Sequence, residues 1–237
     1  GGLDVGAGSF VVIDGGTASK DLATQSPDGA LGDSLSSGTV QVRSGALQLL
    51  NGVVTSIVNH YGQLDITGGD VDVIGQFRVW SDIKVTGNAA DVRVAWLNGL
   101  PGSHFTFALD SDGVSPIVVN DWMSLGSSLI TVDGSSYTGG TATMVLMDSA
   151  NLVGTASAGN ISVAGFPIGY QAQVVQDVAT DEVRLEIVET VYGSWATSHG
   201  LMGTDRDPAA DADGDGQKNL YEFAFNGDPN DGSKGAS

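Results

Sequence analysis

Short segments in which apolar and polar residues alternate recur along the first half of the chain. Each has an apolar residue, a polar residue and a second apolar residue, so the outer two side chains face one way and the central one the other. The seven triplets are Val40-Gln41-Val42, Leu47-Gln48-Leu49, Leu64-Asp65-Ile66, Val71-Asp72-Val73, Phe77-Arg78-Val79, Ile83-Lys84-Val85 and Val92-Arg93-Val94. The pattern predicts short β-strands with buried outer residues and exposed central residues.

Turn-forming sequences such as Ser-Gly, Asn-Gly, Thr-Gly-Gly and Thr-Gly-Asn separate these triplets. A three-residue strand cannot bury its apolar face alone, but strands that stack with the same face inward share a continuous core. We therefore predict an all-β fold, namely a parallel β-helix (β-solenoid). A β-sandwich is the alternative, and it would have longer strands, such as the one predicted at residues 183–189.

The apolar segments become longer and more continuous after Pro101. They are His104–Leu109, Pro116–Val119, Leu129–Val132, Thr143–Met147 and Val183–Val188. These segments are typical of wider final coils and of strands that cap the last apolar layer of a solenoid. We interpret residues 1–190 as a β-helix body with capping strands. Its first residues, Gly1-Gly2, lack a methionine and a signal-peptide pattern, which indicates a processed or excised end.

Residues 191–237 follow a different pattern. It predicts a short helix, a loop, a second short helix and a Gly/Asp-rich linker. The loop is Asp211-Ala-Asp213-Gly-Asp215-Gly216-Gln217-Lys-Asn219-Leu-Tyr-Glu222. It carries the full EF-hand pattern, with carboxylates at positions 1, 3 and 5, Gly at 6, a polar residue at 9 and Glu at 12. The predicted Ca²⁺ ligands are side-chain oxygens of Asp211, Asp213, Asp215 and Glu222, the backbone carbonyl of Gln217, and Asn219 directly or through water.

Charge and composition restrict the environment and the partners. The 237 residues carry 28 acidic and 9 basic side chains, for a net charge of −19, and contain no cysteine. The acidic balance argues against nucleic acid and anionic membrane partners, since phosphate binding relies on Lys and Arg. No apolar run is long enough to cross a bilayer. Oxygen-rich acidic loops suit a secreted, extracellular or cell-surface protein, where calcium is abundant.

Exposed aromatic residues are candidates for stacking on sugar rings. Trp80 follows the triplet Phe77-Arg78-Val79, and by alternation it faces outward with Arg78. With Asp72 and Lys84 on neighbouring coils, these residues form a predicted carbohydrate-contacting patch. The alternative is that Trp80 turns a corner of the fold and packs under a loop. Trp195 is expected to fill the apolar centre of the calcium-binding tail.

Few residues suggest catalysis. Glu182, Glu186 and Glu189 alternate along one predicted edge strand, which is typical of a solvated face, whereas glycosidases need two carboxylates facing each other across a cleft. The three histidines are scattered, which argues against a zinc site. We therefore expect a protein that is not an enzyme, with a β-helix polysaccharide lyase or glycoside hydrolase as the remaining catalytic alternative.

The chain resembles two groups of proteins. Residues 39–190, with their Gly-punctuated triplets and the segment Phe105–Gly113, are similar to the autotransporter-type β-strand repeats of large secreted bacterial proteins. The tail, from Ser194 through Asp211–Glu222 to Pro229, resembles dockerin-like and thrombospondin type 3-like calcium repeats. The resemblance implies an extracellular, multidomain parent protein. The single complete loop, with Lys218 at position 8, departs from the dockerin pattern and favours a lone structural calcium site.

Together these features predict a non-catalytic, secreted calcium-binding module that binds polysaccharide or adheres to a surface. Its expected partners are an extracellular polysaccharide and further domains of the same parent chain. A structural stalk or fibre segment of a large extracellular protein is the main alternative. Aromatic residues aligned on one exposed face would favour glycan binding over a stalk.

Overall fold

Most of the described chain lies in β-strands. The structure, a computed structural model, describes residues 10–21, 28–31, 38–50 and 57–233. The strands are β1 (Phe10–Asp21), β2 (Asp28–Leu31), β3 (Thr39–Leu50), β4 (Ile57–His60), β5 (Gln63–Ile66), β6 (Gly69–Val79), β7 (Asp82–Thr86), β8 (Ala90–Gly99), β9 (His104–Ala108), β10 (Ile117–Ser124), β11 (Leu129–Asp133), β12 (Ala142–Gly154), β13 (Ile161–Ala164), β14 (Tyr170–Asp177) and β15 (Glu182–Glu189). The predicted all-β class is confirmed. The end expected at Gly1-Gly2 lies outside the described residues.

Short helices make up the rest of the regular structure. The α-helices are α1 (Val191–Ser198) and α2 (Asn219–Phe225), and the 3-10 helices are Ala158–Asn160 and Gly203–Arg206. Over the four described ranges, no helix has the length and apolar character needed to cross a membrane.

Parallel pairing connects the strands in three ladders, and the longer strands contribute one segment to each of two ladders. The first ladder contains the first halves of β1 and β3, followed by β5, β7, β9, β11 and β13. The second contains the second halves of β1 and β3 and the segments 69–73, 90–94, 117–119 and 147–149. The third contains β2, β4 and the segments 76–79, 96–99, 122–124 and 151–154.

The predicted alternation of buried and exposed residues is confirmed in all seven triplets. Every outer residue is at most 3% exposed, while every central residue is partly or fully exposed. Phe77, Phe105 and Phe107 are the largest fully buried side chains of the same core. The period of two therefore decides which side chains enter the core, as expected for strands with one buried face.

Stacked glycines form the turn between the first and second ladders. Gly16, Gly45 and Gly69 all have positive φ, at 73°, 80° and 74°. A Cβ atom on Gly69 would lie 2.5 Å from the carbonyl oxygen of Gly45, and one on Gly45 would collide with the carbonyl oxygen of Gly16. Only glycine meets both the conformational and the steric demand at this corner.

Antiparallel strands cover the C-terminal end of the sheet. The first half of β12 pairs with β15, and β15 pairs with β14, which makes the sheet mixed. The interpretation of the strand carrying Glu182, Glu186 and Glu189 as an edge strand is therefore wrong, because β15 has a hydrogen-bonded neighbour on each side. The helix α1 begins two residues after β15 ends.

Candidate functional site

An aromatic cluster packs α1 against α2, the helix in which the acidic loop ends. The ring of Trp195 lies 5.6 Å from that of Phe223, the ring of Tyr192 lies 5.5 Å from Phe223, and Tyr192 and Trp195 are themselves 5.6 Å apart. The hydroxyl of Thr190 caps α1 by accepting a hydrogen bond from the backbone N–H of Gly193 at 3.0 Å. The predicted order of helix, loop and helix is present, and Trp195 lies in its apolar centre.

Arg206 ties the segment before the loop to the sheet. Its guanidinium donates to a carboxylate oxygen of Glu189 at 2.9 Å and to the carbonyl of Gly193 at 3.0 Å. The same guanidinium lies over the ring of Tyr170, 5.1 Å from the centroid. The tail therefore has a fixed position against β14 and β15.

Backbone N–H groups give the acidic loop its tight turn. Asp211 accepts hydrogen bonds from Gly214 and Gly216, at 2.8 and 2.9 Å, one on each carboxylate oxygen. Asp215 accepts from the backbone N–H of Gln217 at 2.7 Å and from its side-chain amide at 2.9 Å. Gly216 has φ of 92°, which the sixth position of such a loop requires. These contacts bend the loop so that its carboxylates converge.

The three aspartates have the spacing of metal ligands. One carboxylate oxygen from each of Asp211, Asp213 and Asp215 lies within 4.8 Å of the other two. Two oxygens on opposite sides of a calcium ion, each bound at about 2.3–2.6 Å, are roughly 5 Å apart. The observed spacing therefore fits one cation between the three side chains.

Glu222 and Asn219 lie in the first turn of α2, directly after the three aspartates in the chain. They are only 4% and 0% exposed, yet Glu222 Oε2 and Asn219 Oδ1 are buried without a hydrogen-bond partner in the described part of the chain, as is Asp213 Oδ2. The Asn219 amide points the other way and donates to the carbonyls of Asp205 and Asp207 at 2.6 and 3.0 Å. Buried oxygens without a donor are costly, and a cation would satisfy them.

The electrostatic environment of Glu222 also fits a cation site. Burial raises the pKa of its carboxyl group, and the nearby charges of Asp213, Asp215 and Asp211 raise that pKa further. A divalent cation among these carboxylates would offset the repulsion that causes the second effect. The structure thus brings three of the four predicted carboxylate ligands into one cluster, and their charges act on the fourth, Glu222.

The four residues of the predicted carbohydrate patch do not share one ladder. Arg78 and Trp80 lie in and just after the third ladder, but Asp72 pairs with Gln48 and Arg93 in the second. Lys84 pairs with Asp65 and Thr106 in the first. The expected grouping of Asp72 and Lys84 with Trp80 assumed that neighbouring triplets in the sequence are neighbours in space, whereas consecutive triplets occupy successive ladders.

Trp80 is exposed and stacked. It is 40% exposed, its ring lies 5.9 Å from that of Tyr61 at an interplanar angle of 19°, and its indole N–H donates to Asn59 Oδ1 at 3.4 Å. It directly follows Val79 at a corner of the fold. Trp80 is therefore exposed, as predicted, and it also lies at the corner that the alternative interpretation expected.

A second aromatic pair lies on the third ladder; its two tryptophans are candidates for sugar stacking from the sequence, but their pairing was not predicted. Trp96 and Trp122 stack with centroids 6.2 Å apart at 25°, and the Trp96 indole donates to Asp121 at 2.6 Å. The segments Trp96-Leu97-Asn98 and Trp122-Met123-Ser124 alternate like the triplets, with a buried central residue. In the triplets the outer residues are buried, whereas here the central residue is. This reversal is the signal that could have identified both tryptophans as outward-facing.

Comparison of the chain with protein-family models, with curated proteins and with solved structures finds no match.

Proposed function

We propose that this chain is a non-catalytic calcium-binding module. The observation that carries the proposal is the buried Oε2 atom of Glu222, which has no donor in the described residues and belongs to a carboxyl group surrounded by three aspartates. Calcium binds six to eight oxygens, and this loop offers side-chain and backbone oxygens at the spacing that the ion needs. The proposed ligands are Asp211, Asp213, Asp215, Gln217, Asn219 and Glu222.

The ion would act as a structural staple rather than as a signal. It would join the first turn of α2 to the loop, while Asn219 joins the same turn to the segment that Arg206 fixes on the sheet. In the absence of a cation, four neighbouring carboxylates repel one another and oppose this arrangement. At a calcium concentration 100 times Kd, binding would stabilise the folded tail by about 2.7 kcal/mol.

Titration calorimetry of the metal-free chain with calcium tests this proposal. We expect one site per chain, a fall in affinity of about tenfold or more in Glu222→Gln, and weaker binding of magnesium, which prefers fewer protein ligands. Asp148→Asn is the matched control, because Asp148 is an exposed carboxylate on the second ladder. Absence of a binding heat, or an unchanged affinity in Glu222→Gln, would refute the proposal.

A non-catalytic role is supported by the glutamates of β15. Glu182 pairs with Arg184 at 3.1 Å, Glu186 accepts from Gln173 at 2.9 Å, and Glu189 is held by Arg206. Carboxylates with these partners are suited to holding strands and tail together. The catalytic alternative, cleavage of a polysaccharide, would need two carboxylates facing a common cleft.

For the fold, we propose that the three parallel ladders wind as the predicted β-helix. The support is that segments of the first, second and third ladders recur in this order along the chain, as they would in successive coils of a solenoid. Deletion of residues 82–103, which span β7 and β8, is the test. In a solenoid the flanking coils would pair in register, and a cooperative thermal transition would persist. A closed sheet would lose its closure and unfold.

The calcium module is proposed to act outside the cell, in binding to polysaccharide or adhesion to a surface. Two aromatic stacks at the third ladder, one with the exposed Trp80 and one with the partly exposed Trp96 and Trp122, favour this function over that of a stalk, because aromatic faces provide contact area for sugar rings at low entropic cost. The resemblance to secreted bacterial β-strand repeat proteins with calcium repeats agrees with it. Affinity electrophoresis against plant, algal and microbial polysaccharides, with calcium and with EDTA, is the experiment. If no polymer retards the chain, a structural stalk is the better interpretation.

A further inference from the structure

One of the two outward rows of the third ladder contains no carboxylate in its described part. Asn59, Arg78 and Asn98 are paired neighbours in this row, and Ser124 follows them. The equivalent rows of the first and second ladders contain Asp65, Asp72 and Asp148. Because acidic residues outnumber basic ones 28 to 9, an acid-free row with an arginine at its centre differs in charge from the rest of the surface.

Arg78 has no side-chain partner in the part of the chain that the structure describes, unlike the other four arginines. Arg43 is held by Gln41, Arg93 by Asp91, Arg184 by Asp177 and Glu182, and Arg206 by Glu189. Arg78 is only partly buried, so its guanidinium donors remain accessible. A planar guanidinium with free donors is the group that best recognises a carboxylate, by two parallel hydrogen bonds.

Aromatic pairs border this row at both ends of the strands. Trp80 and Tyr61 stack at one border, and Trp96 and Trp122 stack at the other. Trp96 pairs in register with Gln76, which precedes Trp80 by four residues. The two borders are therefore about 13 Å apart along the strands, at roughly 3.3 Å per residue. This width accommodates a few sugar rings, with amides and a guanidinium between two apolar platforms.

We infer that this surface, the arginine face (Asn59, Tyr61, Arg78, Trp80, Trp96, Asn98 and Trp122), binds a glycan that contains uronic acid. Arg78 pairs with the sugar carboxylate, the amides of Asn59 and Asn98 bind hydroxyl groups, and the aromatic pairs pack on ring faces. This inference rests on the proposed polysaccharide-binding function and specifies its ligand. The surrounding negative charge acts weakly on the bound carboxylate, because at physiological ionic strength charges are screened beyond about 8 Å.

Asp121 is a carboxylate close to this surface, and it accepts a hydrogen bond from the indole of Trp96. This contact places it at the tryptophan border and not beside Arg78. Its hydrogen bond orients the indole of Trp96, and so it holds one of the two aromatic platforms.

The test compares hexasaccharides of glucuronic acid and of galacturonic acid with their carboxyl-reduced forms, by titration calorimetry of the whole chain in calcium-containing buffer. Within each pair, the reduced form differs only in having a hydroxymethyl group where the uronate has a carboxylate. We expect one uronate to bind about tenfold or more tightly than its reduced form, as a charge-assisted bidentate contact predicts. Arg78→Gln should remove that difference. Arg93→Gln, an exposed arginine on the second ladder, should preserve it.

The remaining outcomes separate this inference from the function on which it rests. Equal affinity for a uronate and its reduced form, unchanged in Arg78→Gln, would overturn the assignment to uronic acid and leave polysaccharide binding intact. An equal loss in Arg93→Gln and Arg78→Gln would show a general charge effect and overturn the site. No binding of any hexasaccharide, with thermal transitions unchanged in the variants, would overturn both.

Discussion

Arg206 and Glu189 form an ion pair at 2.9 Å that joins the acidic tail to the last strand of the sheet. The pair is mostly shielded from solvent, with side-chain exposures of 16% and 22%. Glu189 also accepts hydrogen bonds from Thr197 at 2.6 Å and from Ser194 at 3.2 Å, both on α1. One carboxylate at the end of β15 therefore fixes both α1 and the segment that leads into the loop.

We predict that this connection weakens in acid. The hydrogen bond from Thr197 lowers the pKa of Glu189 below its usual value, and Arg206 and Ser194 lower it further. A carboxyl group whose pKa is lower in the folded state stabilises the fold at neutral pH, and that stability is lost as pH falls from the unfolded pKa through the folded one. Amide exchange of residues 191–207 in EDTA, corrected for its intrinsic pH dependence, should show protection that declines below about pH 4.5.

Glu189→Gln is the variant that isolates this effect. It should reduce protection of the tail at neutral pH and flatten its dependence on pH, because the amide cannot form the ion pair with Arg206. Glu186→Gln, on the same strand and bonded only to Gln173, serves as control. If Glu189→Gln kept the wild-type dependence of exchange protection on pH, the acid response would come from other groups.

Removal of calcium should loosen the tail and leave the sheet folded. Without the ion, the buried oxygen of Glu222 and the three aspartates oppose the packing of α2. Chymotrypsin should then cleave faster at Tyr221 and Phe225, which are 53% and 69% exposed. At 100 times Kd, the stabilisation of about 2.7 kcal/mol corresponds to roughly 100-fold protection in calcium. Equal cleavage rates in calcium and EDTA would contradict a structural ion.

The sequence predicts the burial pattern well because a period of two depends only on backbone geometry. Val71 and Val73 enter the core and Asp72 faces out, whichever strands lie beside them. Pairing depends on the length of each turn, which the triplets do not report. The second half of β6 continues directly from the first after a register shift near Gly75, so two triplets that look equivalent belong to different ladders.

The candidate sites differ in the same way, because local features can be predicted from the sequence and features that depend on strand pairing cannot. The proposed calcium loop is local, with all its candidate ligands within twelve residues, so their order in the sequence largely decides their arrangement in space. The proposed sugar-binding face is assembled from residues of different strands, such as Asn59, Arg78 and Asn98. Without the register, Asp72 was an equally reasonable neighbour of Trp80, and Trp96 had no visible partner. Non-local sites of this kind require the strand pairing.

Substitution of Gly69 should destabilise the sheet through the glycine corner. In Gly69→Ala the new Cβ atom would meet the carbonyl of Gly45 at 2.5 Å, at a φ of 74°. Left-handed backbone in a non-glycine residue costs about 1–2 kcal/mol, before the collision is counted. Gly126→Ala is the matched control, because its Cβ atom would meet nothing within 4 Å. Urea denaturation should show a lower midpoint for Gly69→Ala alone, and equal midpoints would exclude steric stacking at this corner.

Asn219 is predicted to hold the tail together even when no cation is present. Asn219→Asp keeps side-chain oxygens for the ion but cannot donate to the carbonyls of Asp205 and Asp207, and leaving such buried groups unsatisfied costs about 1–3 kcal/mol. We expect faster amide exchange of residues 205–210 in EDTA. Asn230→Asp removes an exposed amide that donates to the carbonyl of His199, and it should have a smaller effect.

Calcium separates the two roles of Asn219. Asn219→Ala removes both the donor and the oxygen, so it should lose exchange protection and calcium affinity together. Asn219→Asp should lose protection in EDTA but regain much of it in calcium, because an added carboxylate strengthens attraction to the ion. If Asn219→Asp retained wild-type protection in EDTA, the amide would serve only to present a ligand, and the link between the loop and Arg206 would rest on the backbone alone.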